Sequence, residues 1–316
     1  MAQRNRNRIL YAALEDTYGV AEVLTSADAV KTQGLELLRY AGNRVSQDYN
    51  RAGLGNDREI NVNPHAGFSA FRVPLIGSGN TETAPAWGRL LRACAMAETD
   101  DTAAKDEWYY TPVDGNYESL TCIGVEEFIQ QQTTGVRGNW GLSLNSGELP
   151  WITFSNFLGS YARPVAKALN NPDNTAFKDA VPVTFANTTE IKLNGVQHAV
   201  SGFTFDGGIT VVRDSMAGRE ESTVDDRRPT GTIIVGPKDA PATIALMALL
   251  ETHAGATDAP ITITHGAGAG NIIKFSVVAA SFGEPSEQVV NGETFFSLPF
   301  SPQPVGEEYR LTQAAA

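Results

Sequence analysis

The sequence predicts a mainly β protein, with helix as a minor component. It reads as two tandem β-sandwich or barrel domains, each with one flanking α-helix and one long loop. Three observations point there. Short runs of alternating apolar and polar residues recur along the chain, the mark of strands with one buried face. Only two segments, 83–94 and 239–250, carry helix start signals, with Thr83 or Asp239 placed as N-cap and Pro85 or Pro241 just inside. Both segments contain Ala-Pro-Ala, starting at residues 84 and 240, an offset of 156 in a chain of 316 residues. A pattern that returns once at half length reads as a duplicated domain, which raises symmetry and assembly before catalysis.

In the first half, 45–57 is polar, has two glycines and no sustained period, and reads as a long loop. Residues 59–63 and 68–73 alternate as strands. The first helix follows, with Trp87, Leu90, Leu91 and Cys94 on one face. Residues 99–119 are acidic and then aromatic (Trp108, Tyr109, Tyr110, Tyr117) and read as an insertion after the helix. Residues 121–129 and 136–144 are expected to pair around Gly135, and 149–158 closes the half.

Residues 162–182, with Pro164, Pro172 and Pro182, suggest a linker, and the domains are set at 1–165 (with an N-terminal arm), 166–182 (linker) and 183–316 (with a C-terminal tail). After it the order recurs. Strand-like 183–185 and 190–193 lead into the Asn194-Gly195 turn. Strands at 200–205 and 209–212 precede a charged loop at 214–228, in the position of the loop at 45–57. Residues 230–235 enter the second helix, 260–264 and 271–279 form a hairpin, and 294–300 closes the half. The second helix is apolar nearly all round from Ile244 to Leu250. One sheet covers one side of such a helix, so a subunit contact is expected on the other.

Hydrophobic residues make up 42% and charged residues 19%, enough for a core in each half. No run approaches the ~20 apolar residues of a membrane span. The basic start, with Arg4, Arg6 and Arg8, runs into Glu15 and Asp16 without a signal-peptide core. Of the two cysteines, Cys94 and Cys122, Cys94 sits on the apolar stripe of the first helix, so a buried free thiol is expected rather than a disulfide. The 24 basic against 36 acidic residues leave −12, against a phosphate-gripping nucleic-acid binder. That charge suits solubility, and equally a wall that phosphates pass, repelled within a Debye length of ~8–10 Å.

Motifs for chemistry are missing. The glycines after His265 have the wrong spacing for a dinucleotide loop, and a strand rather than a helix follows. The four histidines fit no metal spacing, and there is no nucleophile elbow. No catalytic residue, cofactor or metal is expected. The aromatics at 108–110 could form a sugar platform or core, but a contact to a neighbouring subunit ranks first.

The segment Glu15-Asp16-Thr17-Tyr18-Gly19, followed by Ala27-Asp28-Ala29, resembles the opening of major tail tube proteins from long-tailed, siphovirus-type bacteriophages. The match covers about 30 residues. The resemblance implies a structural virion protein, not an enzyme, made in the host bacterial cytoplasm and located in the tail. It implies stacked rings that conduct DNA. Usual members have one tube domain and form hexameric rings, so two such domains per chain imply trimers with pseudo-six-fold symmetry. Partners would be other copies, a tape-measure protein, tail terminator and distal tail proteins, and transiting double-stranded DNA without specific binding, with no membrane.

On this reading Asp48, Tyr49, Arg51 and Leu54, and Asp214, Met216, Arg219 and Glu220, are inter-ring loop candidates. Trp87, Ile244, Met247, Trp108 and Tyr109 are subunit-interface candidates. Glu59, Glu126, Glu127 and Asp206 are candidates for an acidic lumen, and three chains at −12 each would carry −36 per ring. The alternatives are a hexameric tail protein with one tube domain plus an accessory β domain, and a carbohydrate-binding or hydrolytic β protein.

Overall fold

A computed structural model describes residues 7–50, 52–169, 171–236, 239–251, 258–290 and 292–315. It is 56% strand and 7% helical, so the chain is mainly β.

The first half begins with β1 (Ile9–Leu14), the two-residue β2 (Ala29–Val30), and the long β3 (Gln33–Gln47) and β4 (Arg58–Pro74). Then come α1 (Gly88–Arg92), β5 (Met96–Asp100), α2 (Thr102–Lys105) and β6 (Glu107–Pro112). β7 (Leu120–Val125), β8 (Ile129–Asn145) and β9 (Trp151–Tyr161) close it. Antiparallel pairing runs β3–β4–β9–β8–β7–β1–β2.

A short β10 (Val165–Ala166) returns to the start of β8. The second half holds β11 (Thr188–Leu193), β12 (Val196–Gln197), β13 (Ala199–Asp206), β14 (Ile209–Met216), β15 (Arg219–Arg227) and β16 (Thr230–Gly236). α3 (Ala240–Ala248), β17 (Ala259–His265), β18 (Ile272–Phe282), β19 (Ser286–Val290), β20 (Glu293–Pro302) and β21 (Tyr309–Ala314) follow. Pairing runs β13–β16–β20–β18–β17–β11–β12, again antiparallel throughout. β18 and β19 act as one bent strand, because both pair with β20 on either side of a break at 283–285. The second circuit therefore repeats the first, strand for strand in chain order, with α1 and α3 at the same point.

Two joints fuse the halves. β13 pairs with the end of β8, from Gly202↔Asn145 to Asp206↔Gly141. β21 pairs with both β18 and β6. The result is a 19-stranded sheet, with β14 and β15 as a separate pair. A single core cluster holds Phe71, Trp140 and Phe154 from the first half and Phe203, Phe275 and Phe300 from the second. Trp140 meets Phe205 at 5.4 Å between ring centroids, which carries aromatic packing across the joint.

Several local expectations change. Residues 214–228 are not a loop but β15 and the end of β14, with Met216↔Arg219 flanking the turn. Residues 45–47 of the expected loop belong to β3, and β4 begins at Arg58. Gly135 is no turn: it sits inside β8 at φ +62°, and the β7–β8 turn lies at 126–128. The reason is contact, since a Cβ there would stand 2.8 Å from the Tyr18 ring. Residues 183–185 form no strand, and Phe185 is fully exposed. Residues 162–182 are not a bare linker, because β10 pairs with β8 and Phe177 enters the core.

The two helices differ. In α3 the Asp239 carboxylate accepts the Ala242 amide at 2.9 Å, a cap worth ~1 kcal/mol. In α1 the helix is confined to Gly88–Arg92, and its N-cap is Trp87 rather than Thr83, with no side-chain cap. The Gly88 amide donates to Pro85 O at 2.8 Å, which makes 85–88 a turn. The helix packs so close that a Cβ on Gly88 would fall 1.9 Å from the Tyr110 hydroxyl. Trp87, Leu90, Leu91 and Cys94 are all fully buried, as their spacing predicts. Cys94 and Cys122 are free and buried.

Candidate functional site

The candidate site is the surface by which one half grips the other, together with the equivalent surfaces left open at both ends. Its first part is the β8–β13 seam. Asn139 Nδ2 donates to Asp206 Oδ1 at 2.7 Å, and Asn139 Oδ1 accepts the Ile209 amide at 3.0 Å. The Gly208 amide also donates to Asp206, at 2.8 Å. Gly141 permits the close approach: a Cβ there would lie 2.5 Å from Phe205 O.

Its second part is the β14–β15 hairpin, which folds back over β4, β8 and β9 of the first half. Arg213 is the pin, its side chain only 2% exposed. Its guanidinium donates to Ser160 Oγ at 3.0 Å and pairs with Glu220 at 2.9 Å, while its carbonyl accepts from Asn63 Nδ2 at 3.0 Å. Ser222 Oγ donates to Leu158 O at 2.7 Å. Arg137 donates to Ser222 O at 2.8 Å and to Tyr117 O at 2.6 Å, and stacks over the Tyr18 ring at 4.7 Å. Burial lowers the Arg137 pKa, opposed by the nearby Tyr18 and Glu221.

Behind Tyr18 stands Glu15, which ties the N-terminal phrase to the sheet. Its carboxylate accepts from the Gly19 amide (2.7 Å), Ser119 Oγ (2.6 Å), Thr121 Oγ1 (3.0 Å) and the Gly135 amide (2.8 Å). Gly19 has φ +74°, a left-handed turn that favours glycine. Glu15, Tyr18 and Gly19 thus serve one purpose, holding the first turn against β8.

The expected surface residues divide. Asp48, Tyr49, Leu54 and Met216 are exposed; Arg51 lies outside the described residues, as do Arg4 and Arg6. Asp214 and Arg219 pair at 2.9 Å, and Glu220 holds Arg213, so these side chains bond within their own hairpin. Ile244 is 70% exposed and Met247 half-buried on α3, whose Leu246 and Leu249 face the core.

Trp87 is no surface residue: it is buried and donates to Ile76 O at 2.7 Å. The aromatics at 108–110 contact their own chain, because β6 is held between β5 and β21. Trp108 donates to Thr81 O at 3.0 Å, the Arg310 guanidinium lies 3.5 Å from the Tyr109 ring, and Tyr110 is buried.

Of the acidic candidates, Glu126 is buried and ion-paired with Arg8 at 3.1 Å and with Arg39. It therefore offers no charge to an open surface. Glu127 is half-buried in the same turn. Glu59 is exposed and pairs with Arg44 at 3.0 Å, and exposed Asp206 belongs to the seam. Among the described residues no group of three or more His, Cys, Asp or Glu could hold a metal ion, and no helix is long and apolar enough to cross a membrane.

No protein-family model matches the chain, and no curated protein matches it either. The residues of the resemblance, Glu15 and Tyr18, lie on this surface, and so does the 214–228 segment, which the sequence suggests as an inter-ring loop. Arg137, Arg213 and Ser222 carried no sequence signal, since isolated polar residues on strands look alike until packed.

Proposed function

We propose that this chain is a structural subunit of a bacteriophage tail tube, built from two tube-type domains, that forms stacked rings through which DNA passes. One observation carries the reading: a strand circuit used twice and joined edge to edge by β8 and β13. A unit that extends its own sheet by repetition is suited to heterologous, head-to-tail assembly, which closes into a ring when the rotation allows. Two circuits per chain suit three chains per ring. The resemblance at Glu15 to Gly19 supports the reading, because those residues anchor the fold in this chain. The acidic balance of −12 suits a conduit that does not hold DNA. Its partners would be further copies, a tape-measure protein, the tail terminator and distal tail proteins, and its place the virion tail.

Negative-stain microscopy of concentrated purified protein tests this. Tubes or stacked rings are the expected result, and persistent monomers under all conditions would overturn it. Light scattering of isolated rings decides three chains against six.

A further inference from the structure

The second half grips the first in two ways, and the surfaces equivalent to each are open at the ends of the chain. The equivalence follows from register. Ile233 and Val235 in β16 stand where Phe71 and Val73 stand in β4, core-facing and leading into the helix. Ile233 pairs with Leu298, and Phe71 with Phe154. Phe203 and Phe205 of β13 then match Leu35 and Leu37 of β3, and β19 matches the end of β8, since Ser286↔Ser297 parallels Gly141↔Thr153.

The β14–β15 hairpin matches the outer part of the β3–β4 hairpin. Arg213↔Ser222 and Val211↔Val224 in one correspond to Val45↔Ile60 and Asn43↔Val62 in the other. β3 breaks register between Leu38 and Asn43, where the second half passes from β13 to β14.

The two hairpins differ in burial. Arg213 and Ser222 are buried against the first half, whereas Val45, Ile60 and Val62 are 52%, 40% and 39% exposed. Three apolar residues on one face of an exposed hairpin mark a contact surface. The edges are open too. Among the described residues β3 pairs with β4 alone and β19 with β20 alone. Where β8, β13, β16, β18 and β20 adjoin, their outer face forms a hydroxyl-rich hollow of about 660 Å³, with Ser281, Pro299 and Ser301 on its wall. Exposed Val278 and Val305 lie on the same end of β18 and just after β20.

We propose that the first half of one copy binds the second half of another as the second half binds the first within the chain. β3 of one copy extends the sheet at β19 of the next, and the Val45–Ile60–Val62 face of its hairpin covers the outer face of β18 and β20. Transferring the β8–β13 register sets Ser286 opposite Leu38 and Val290 opposite Gly34, antiparallel. Gly34 then takes the position of Gly202 in the internal seam. Leu35 O already accepts from Arg8 at 3.1 Å, and a carbonyl oxygen accepts twice, so this bond and the new ladder coexist. On this register Glu287 of β19 stands opposite Leu37 and diagonally across from Arg39 on the same face of β3, where Arg39 also holds Glu126. The contact deepens the assembly reading by assigning its lateral interface, and it places the first hairpin beside a neighbour in the ring rather than between rings.

Two experiments on the full chain test it. The double variant Ile60→Asp with Val62→Asp should lower the assembled fraction in sedimentation by about tenfold or more, because charge would be buried at the contact. Its melting temperature should stay that of the parent, and Phe185→Asp, at another exposed site, should assemble normally. Glu36→Cys with Gln288→Cys should give a ladder of covalent oligomers on mild oxidation, while either single variant should not; Cys94 and Cys122 are buried. Unimpaired assembly of the aspartate variant, or tubes without a ladder, would overturn the contact and leave the tube proposal standing. A ladder from closed oligomers that never stack would support the contact and overturn the tube.

Discussion

The Ser222 amide donates to the Tyr18 hydroxyl at 2.5 Å, across 204 residues of chain. Tyr18 belongs to the N-terminal phrase and Ser222 to the hairpin of the second half, so this bond closes the grip between halves. Tyr18→Phe keeps the ring under Arg137 but strands the amide. The variant should lose ~1–2 kcal/mol in urea unfolding, the cost of an unpaired, largely buried donor. It should also speed proteolysis within 209–227. Unchanged values on both counts would show that the hairpin is held by other contacts.

Glu15 accepts four hydrogen bonds. Glu15→Gln preserves the shape yet turns an acceptor into a donor facing donors. A loss of ~2–3 kcal/mol is expected, larger than for Tyr18→Phe, because bonds to a charged acceptor are the stronger kind. Equal losses in the two variants would mean that the carboxylate charge contributes little.

Burial pushes both thiols well above their usual pKa, through desolvation first in each case. Neither Cys94 nor Cys122 should react with a thiol reagent at pH 8 in the folded protein, and both should react in denaturant. Rapid labelling of Cys94 without denaturant would mean that the core beside α1 opens on its own.

His265 is buried, with Nδ1 paired to Thr188 Oγ1 at 2.9 Å. Burial lowers its pKa, opposed by a backbone hydrogen bond with Val181. The native state therefore resists protonation where the unfolded chain, with a pKa near 6.5, takes a proton. The unfolded state binds more protons in that window, so stability falls as pH drops below about 6.5 and levels once the native pKa is passed. His265→Gln should flatten the fall between pH 7 and pH 5 in denaturant titrations. An unaltered slope would assign the acid sensitivity to other groups.

Much of the fold was legible. The Asp239 cap, the Trp87–Cys94 stripe and the Asn194-Gly195 turn depend on neighbours within a few residues, and local chemistry is written locally. In the sequence the 214–228 segment has the look of a loop because its charges mask the period of a strand. Here Arg213 pairs with Glu220 and Arg219 with Asp214, and the hairpin lies against β4, β8 and β9 of the first half. The same blindness hid Glu126, an acid that reads as surface until Arg8 and Arg39 close on it. It also hid Trp108 and Tyr109, whose partners Thr81 and Arg310 lie far apart in sequence.

By itself the sequence determined a β-rich chain, an order of elements that recurs at half length, two helices at that spacing and a buried thiol at Cys94. Periodicity, caps and turn residues act over a few bonds, so composition and order suffice to express them. Only the tertiary structure decided which strands pair in each half, that β8 and β13 join the halves, and that the halves share one core. It alone showed the β14–β15 hairpin folded inward on its own chain and the Val45–Ile60–Val62 hairpin left open. Strand pairing depends on which backbone edge meets which, and an edge has the same amide and carbonyl groups whatever residues it carries.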